Sequence, residues 1–298
     1  MVTITHINAP NRFLEVGGVR YAYRRFGRET STPLLLLQHF RGGLDHWDPV
    51  ITDGLAQERA VILFDNAGVG LSTGEPADTV SGMAKHVSIF LTALGLSEVD
   101  LLGFSLGGFV AQQLALDHPA SVRRIVLAGT GPQGGESMDT YTPRVAEVAT
   151  RSEPIQEDFL YLFFEPTPSS QAAGRAFWER RHARKQSLDV PSSMRVMQRQ
   201  GAAIADWGAP KGERYGRLKD IPNPVLVVNG AHDILVPTVN SYILQQRLPN
   251  AQLILYPDSG HGALFQYPET FVEHVSTFLR SPATSRLAQR PNRKDAVA

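Results

Sequence analysis

Short apolar runs alternate with stretches of helical spacing along most of the chain. The runs PLLLLQH (33–39), AVILF (60–64), 99–103, RIVLA (124–128), PVLVV (224–228) and QLILY (252–256) are apolar without a break. Strands of a parallel sheet covered on both faces read this way. Two further strands, 12–16 and 19–26, are joined at Gly17-Gly18, a hairpin turn signal. Between the runs, 78–94 carries Val80, Met83, Ala84, Val87, Phe90, Leu91 and Leu94 on one helical face and stops at Gly95. Segments 106–118, closed by Pro119, 239–248 and 268–279 also read as helices. The pattern predicts an α/β fold: a mostly parallel, eight-stranded sheet with helices on both faces.

One interval breaks the rhythm. A parallel crossover needs about a dozen residues, and the stretch from 129 to 224 is several times longer. It is helical in pattern and aromatic, with Phe159, Tyr161, Phe163, Phe164, Phe177, Trp178 and Trp207. We expect a helical cap at 131–217 inserted in a core formed by 1–130 and 218–281. The aperiodic, basic stretch 282–298 is expected to be a frayed tail.

Composition narrows the function. Lys+Arg and Asp+Glu are 29 each in 298 residues, so the formal net charge is zero. That argues against nucleic acid as a partner. There is no cysteine, which excludes a disulfide scaffold, a thiolate metal site and a Cys nucleophile. The amino terminus lacks the basic and apolar regions of a signal peptide. The longest aliphatic run, 34–37, is far short of the roughly 20 residues that span a bilayer. A cytoplasmic protein with a small-molecule substrate and no membrane partner is expected. Monomer or homo-oligomer is left open.

The chemistry is concentrated after three of the runs. The strand at 99–103 leads into Gly103-Phe104-Ser105-Leu106-Gly107-Gly108 and then a helix. This is G-x-S-x-G in its strand–turn–helix context, which exposes a serine oxygen at a sharp turn. Serine needs a base, and the base needs a third group to hold it. For this elbow the order is Ser, acid, His. Asp233 follows the strand 224–228, and His261, between two glycines, follows 252–256. Ligand sites in such sheets gather at the carboxyl ends of strands, so Ser105, Asp233 and His261 are expected to converge. Asp258, and less so Glu136, compete for the acid's role, and eight other histidines compete with His261. The oxyanion donors are expected to be the amide of Leu106 and that of Arg41, or alternatively Phe40, in the loop after the strand 33–39. The Arg41 side chain is a further candidate for an anionic substrate group.

These residues resemble the α/β-hydrolase fold superfamily over nearly the whole chain up to about position 282. The resemblance rests on 103–108, Asp233 before Pro237, Ser259-Gly260-His261, and Phe64-Asp65-Asn66-Ala67-Gly68-Val69-Gly70-Leu71-Ser72, similar to the family's D-x-x-G-x-G-x-S turn. It departs at the oxyanion loop, where relatives usually carry His-Gly and this chain has His39-Phe40. The resemblance implies a serine hydrolase cleaving an ester or lactone of a small, mostly apolar molecule through a Ser-His-Asp triad and an acyl-enzyme, with no cofactor and no metal. Phe40, Phe104, Trp178 and Trp207 are expected to contact the substrate. Carbon–carbon bond hydrolysis, perhydrolysis with cofactor-free haloperoxidase activity, and a non-catalytic ligand-binding role are the alternatives it leaves open.

Overall fold

The computed structural model describes residues 3–29 and 32–281; the expected tail at 282–298 lies outside them. The chain opens with the hairpin β1 (Arg12–Val16) and β2 (Val19–Gly27). The buried strand β3 (Leu34–Leu37) follows, then α1 (Pro49–Ala56) and β4 (Ala60–Phe64). Helix α1 is not among the elements expected above. Its start signal is nonetheless plain: Asp48 Oδ1 accepts the Val50 amide at 3.0 Å, and Pro49 occupies the first helical position.

Next come α2 (Val80–Ala93), β5 (Val99–Phe104), α3 (Leu106–Asp117) and β6 (Val122–Ala128). The chain then leaves the sheet for α4 (Pro143–Ala149), α5 (Gln156–Phe163), α6 (Pro168–Arg181) and α7 (Met194–Gly208). Thr142, Thr167 and Ser193 cap α4, α6 and α7 by accepting the Val145, Ser170 and Val196 amides. The chain returns through β7 (Val225–Gly230), α8 (Val239–Arg247), β8 (Ala251–Tyr256), α9 (Ala263–Gln266) and α10 (Pro268–Arg280).

The eight strands form one sheet in the order β1-β2-β4-β3-β5-β6-β7-β8. β1 and β2 are antiparallel to each other, β2 is antiparallel to β4, and β4 through β8 pair in parallel. Alternate side chains feed two separate cores. Leu35, Ile62, Leu101, Ile125 and Val227 pack on one face; Leu36, Leu63, Leu102, Val126 and Val228 pack on the other. This double burial is why the strands read as unbroken apolar runs. Because β3, β5, β7 and β8 run the same way, the loops after them emerge at one edge of the sheet.

Candidate active site

β5 is flanked by β3 and β6, and it delivers Ser105 at its carboxyl end. Ser105 has φ 54° and ψ −119°, and its amide donates to Ala128 O at 2.9 Å. The turn is possible because its neighbours lack side chains. A Cβ at Gly103 would strike Gly107 O, and one at Gly107 would strike Leu37 O. Thr130 Oγ1 donates to Ser105 O at 2.9 Å and fixes the turn from the β6 side.

Asp233 and His261 arrive from β7 and β8. His261 Nδ1 lies 2.8 Å from Asp233 Oδ2, and both side chains are buried. The other carboxylate oxygen, Oδ1, accepts the Leu235 and Val236 amides at 2.8 and 2.9 Å. The carboxylate is therefore oriented from both sides, and the His261 ring has Phe104 and Phe163 at 5.0 and 5.3 Å. Among the described residues the Ser105 hydroxyl makes no hydrogen bond. It shares one cavity with His261. Nucleophile–base contacts of unliganded sites commonly shorten only when a substrate is present.

The rival acids sit elsewhere. Asp258 accepts the Thr167 and Ser169 hydroxyls at 2.7 and 2.5 Å. Glu136 accepts the Tyr215 hydroxyl at 2.8 Å and pairs with Arg214 at 3.2 Å.

The loop after β3 departs from expectation at Arg41. Its backbone is left-handed, with φ 63°, and its amide donates to Gln200 Oε1 of α7 at 2.6 Å. That donor is taken. The Phe40 amide, by contrast, has no acceptor among the described residues, and Leu106 opens α3, where no intrahelical carbonyl is available to it. The Arg41 side chain is committed too, donating to Arg151 O and Ser152 O at 2.5 and 3.0 Å. It ties the loop after β3 to the segment between α4 and α5 and is not a free cation.

Ser105 and His261 open into a cavity of about 610 Å³ closed by residues of α4, α5, α6 and the 182–192 segment. Of the four residues expected to contact substrate, Phe40 and Trp178 line it. Phe104 does not: it is fully buried, packed against His39, His261, Phe163 and Phe265, and supports the base from behind. Trp207 does not either. It stacks on Phe109 of α3 at 5.3 Å and donates from Nε1 to Gly131 O at 3.3 Å, fastening α7 to the core.

His39 also borders the cavity. Burial takes its pKa down to about 3, and its Nδ1 lies 2.7 Å from Phe40 O, which places the proton of the neutral ring on Nδ1. Among the described residues no helix is long and apolar enough to cross a membrane.

The model of a family described as alpha/beta hydrolase fold matches residues 32–268. A proline iminopeptidase from Lactobacillus delbrueckii subsp. lactis is 28% identical, over 91% of this chain and 98% of its own length. A solved alpha/beta hydrolase fold protein from Chitinophaga pinensis is 42% identical, with a TM-score of 0.89 over 94% of this chain and 100% of that one. Est816, described as an N-acyl homoserine lactone degrading enzyme, is 25% identical with a TM-score of 0.68, covering 90% of this chain and 100% of its own.

Proposed function

Because the chain belongs to the alpha/beta hydrolase fold family, we propose that it is a serine hydrolase that cleaves an ester or lactone of a small molecule through an acyl-enzyme on Ser105. One observation carries this reading: a buried Asp233–His261 pair, bonded at 2.8 Å, opens on the same cavity as the elbow serine. His261 Nδ1–H is held by Asp233, which leaves Nε2 to take the Ser105 proton. Ser105 Oγ attacks the carbonyl carbon, and the developing oxyanion is met by the Leu106 and Phe40 amides. His261 then protonates the departing alcohol, and a water deprotonated by His261 releases the acid.

The likeness to a lactone-degrading enzyme supports including lactones among the substrates. A peptidase acting at a free amino terminus needs an acceptor for an ammonium group. Of the cavity's four carboxylates, Asp45 and Asp158 are paired with Arg24 and Arg151 and Asp189 accepts two amides, so Glu153 at the exposed border is the acceptor left to such a substrate. The test is a panel of p-nitrophenyl esters and lactones of graded acyl size on wild type and Ser105→Ala. Turnover by wild type and its loss in the variant is expected; equal rates would refute the proposal.

A further inference from the structure

Arg181, the last residue of α6, borders the cavity that Ser105 and His261 open into. Its guanidinium carbon lies 4.5 Å from the Phe159 ring and 5.0 Å from the Trp178 ring. The residue is 8% exposed, and its Nε and Nη1 are buried without a hydrogen-bond partner. Among the described residues its side chain has no ion pair and no hydrogen bond, which leaves Nη2 as the nitrogen open to the cavity.

No other guanidinium there is in this position. Arg41 is bonded to two carbonyls, and Arg184 donates to His6 O and Ser187 O and approaches Asp45 at 4.0 Å. Nor is a carboxylate waiting for it: Asp45 pairs with Arg24, Asp158 with Arg151, and Asp189 accepts the Leu44 and Val190 amides. Glu153 and Lys185 border the cavity from exposed positions. The aromatic faces attract a cation but accept no hydrogen bond along its edge. Burying a guanidinium is costly unless an opposite charge comes close enough to offset it.

The neighbours keep this charge single. Burial, with the Arg181 charge adding to it, holds His46 well below its ordinary value and His39 at about 3, so both are neutral. Burial brings Arg181 itself down to about 10, which still leaves it charged near neutral pH. Rings connect it to the reacting end: Phe159 to Phe163 at 5.2 Å, and Phe163 to His261 at 5.3 Å.

We propose that Arg181 anchors a carboxylate carried by the substrate, so that the ester or lactone cleaved at Ser105 belongs to an acidic small molecule. This rests on the serine-hydrolase reading for the occupant being a substrate. Nη2 can donate a charge-assisted hydrogen bond to a carboxylate oxygen, and the neighbouring Phe159 and Trp178 rings, 5.2 Å from each other, hold the guanidinium in place before the anion arrives.

Binding is measured apart from turnover, by calorimetric titration of glutarate and of its neutral diamide. Wild type is expected to bind glutarate and not the diamide, and Arg181→Met and Arg181→Gln to weaken glutarate by about tenfold or more. Turnover of p-nitrophenyl hemiglutarate relative to p-nitrophenyl butyrate is expected to fall in the same variants, through KM. If the variants do not fold, wild type decides: glutarate raises its melting temperature and the diamide does not. Glutarate affinity unchanged in the variants, or equal effects of glutarate and diamide on wild type, overturns the proposal. Absence of turnover on both esters with Arg181-dependent glutarate binding would instead overturn the hydrolase reading alone.

Discussion

Ser105 occupies a region of backbone space, φ 54° and ψ −119°, that side-chain-bearing residues avoid and glycine enters freely. Such positions cost on the order of 1–3 kcal/mol and persist when the surroundings over-determine them. Here the surroundings are the Ala128 carbonyl, Thr130 Oγ1 and the close passage of Gly103 against Gly107. The strain therefore belongs to the backbone and not to the hydroxyl. Ser105→Ala keeps it and Ser105→Gly relieves it. Both variants are expected to be inactive on esters, while Ser105→Gly unfolds in urea with about 1 kcal/mol more stability than Ser105→Ala. Equal midpoints for the two would show that the turn carries no such strain. At this scale the sequence is legible where a motif dictates local geometry, as at 103–108. It is silent on Arg181, because being without a partner is a property of the fold and no local pattern encodes it. The choice between Arg41 and Phe40 was equally out of reach, since it turns on Gln200, which is remote in sequence.

Among the elements, the strands were readable because burial on both faces leaves no polar position to interrupt them. The stretch between β6 and β7 was readable as helical but not in the facing of its helices. Trp178 and Trp207 look alike in sequence, yet one borders the cavity and the other is stacked on α3. What decides the facing is the set of ties between these helices and the loops and helices of the sheet. Arg41 supplies four of them: its amide to Gln200, its guanidinium to Arg151 O and Ser152 O, and its carbonyl to the Ser192 hydroxyl at 2.8 Å. Arg180 of α6 holds buried Asp48, the residue that caps α1, with contacts down to 2.6 Å. Removing the Arg41 side chain leaves the two carbonyls without their charged donor. Arg41→Ala is expected to lower stability by about 2 kcal/mol and to raise KM more than it lowers kcat, because the walls of the cavity loosen while Asp233–His261 is untouched. Urea unfolding and steady-state kinetics on one ester check both halves. A fall in kcat alone would place Arg41 in the chemistry instead.

Over the whole molecule, buried titratable groups set opposing pH trends. Burial takes His6 and His39 down to about 3, and His46 well below its ordinary value. The unfolded chain binds protons at these sites below about pH 6.5 while the folded chain does not, so stability falls as the medium is acidified. Each such group contributes at most about 1.4 kcal/mol per pH unit. Asp65 acts the other way. It stands in the turn after β4, fully buried, and burial with the charge of Asp189 beside it raises its pKa well above the ordinary value. Asp65 Oδ1 has no donor near it, which fits a carboxyl that keeps its proton and shares it with Asp189. Asp48, Asp53 and Asp100 are raised by burial in the same direction. The folded state thus holds protons that the unfolded chain releases above about pH 4. Their contribution is full below that value and is lost as pH rises through the raised folded value. The two trends oppose each other over the mildly acidic range, the histidines favouring higher pH and the buried carboxyls lower pH. Asp65→Asn separates them, because its amide donates to Asp189 without titrating. Its stability relative to wild type is expected to climb as pH rises from about 4 toward the raised folded value, and the two curves to run parallel above it. Urea midpoints from about pH 4 to about pH 9 decide it: curves parallel over the whole range would mean that Asp65 is already ionised in the fold. The Asp65–Asp189 pair joins the turn after β4 to the segment between α6 and α7, so ionisation of both carboxyls would set two like charges between those two segments.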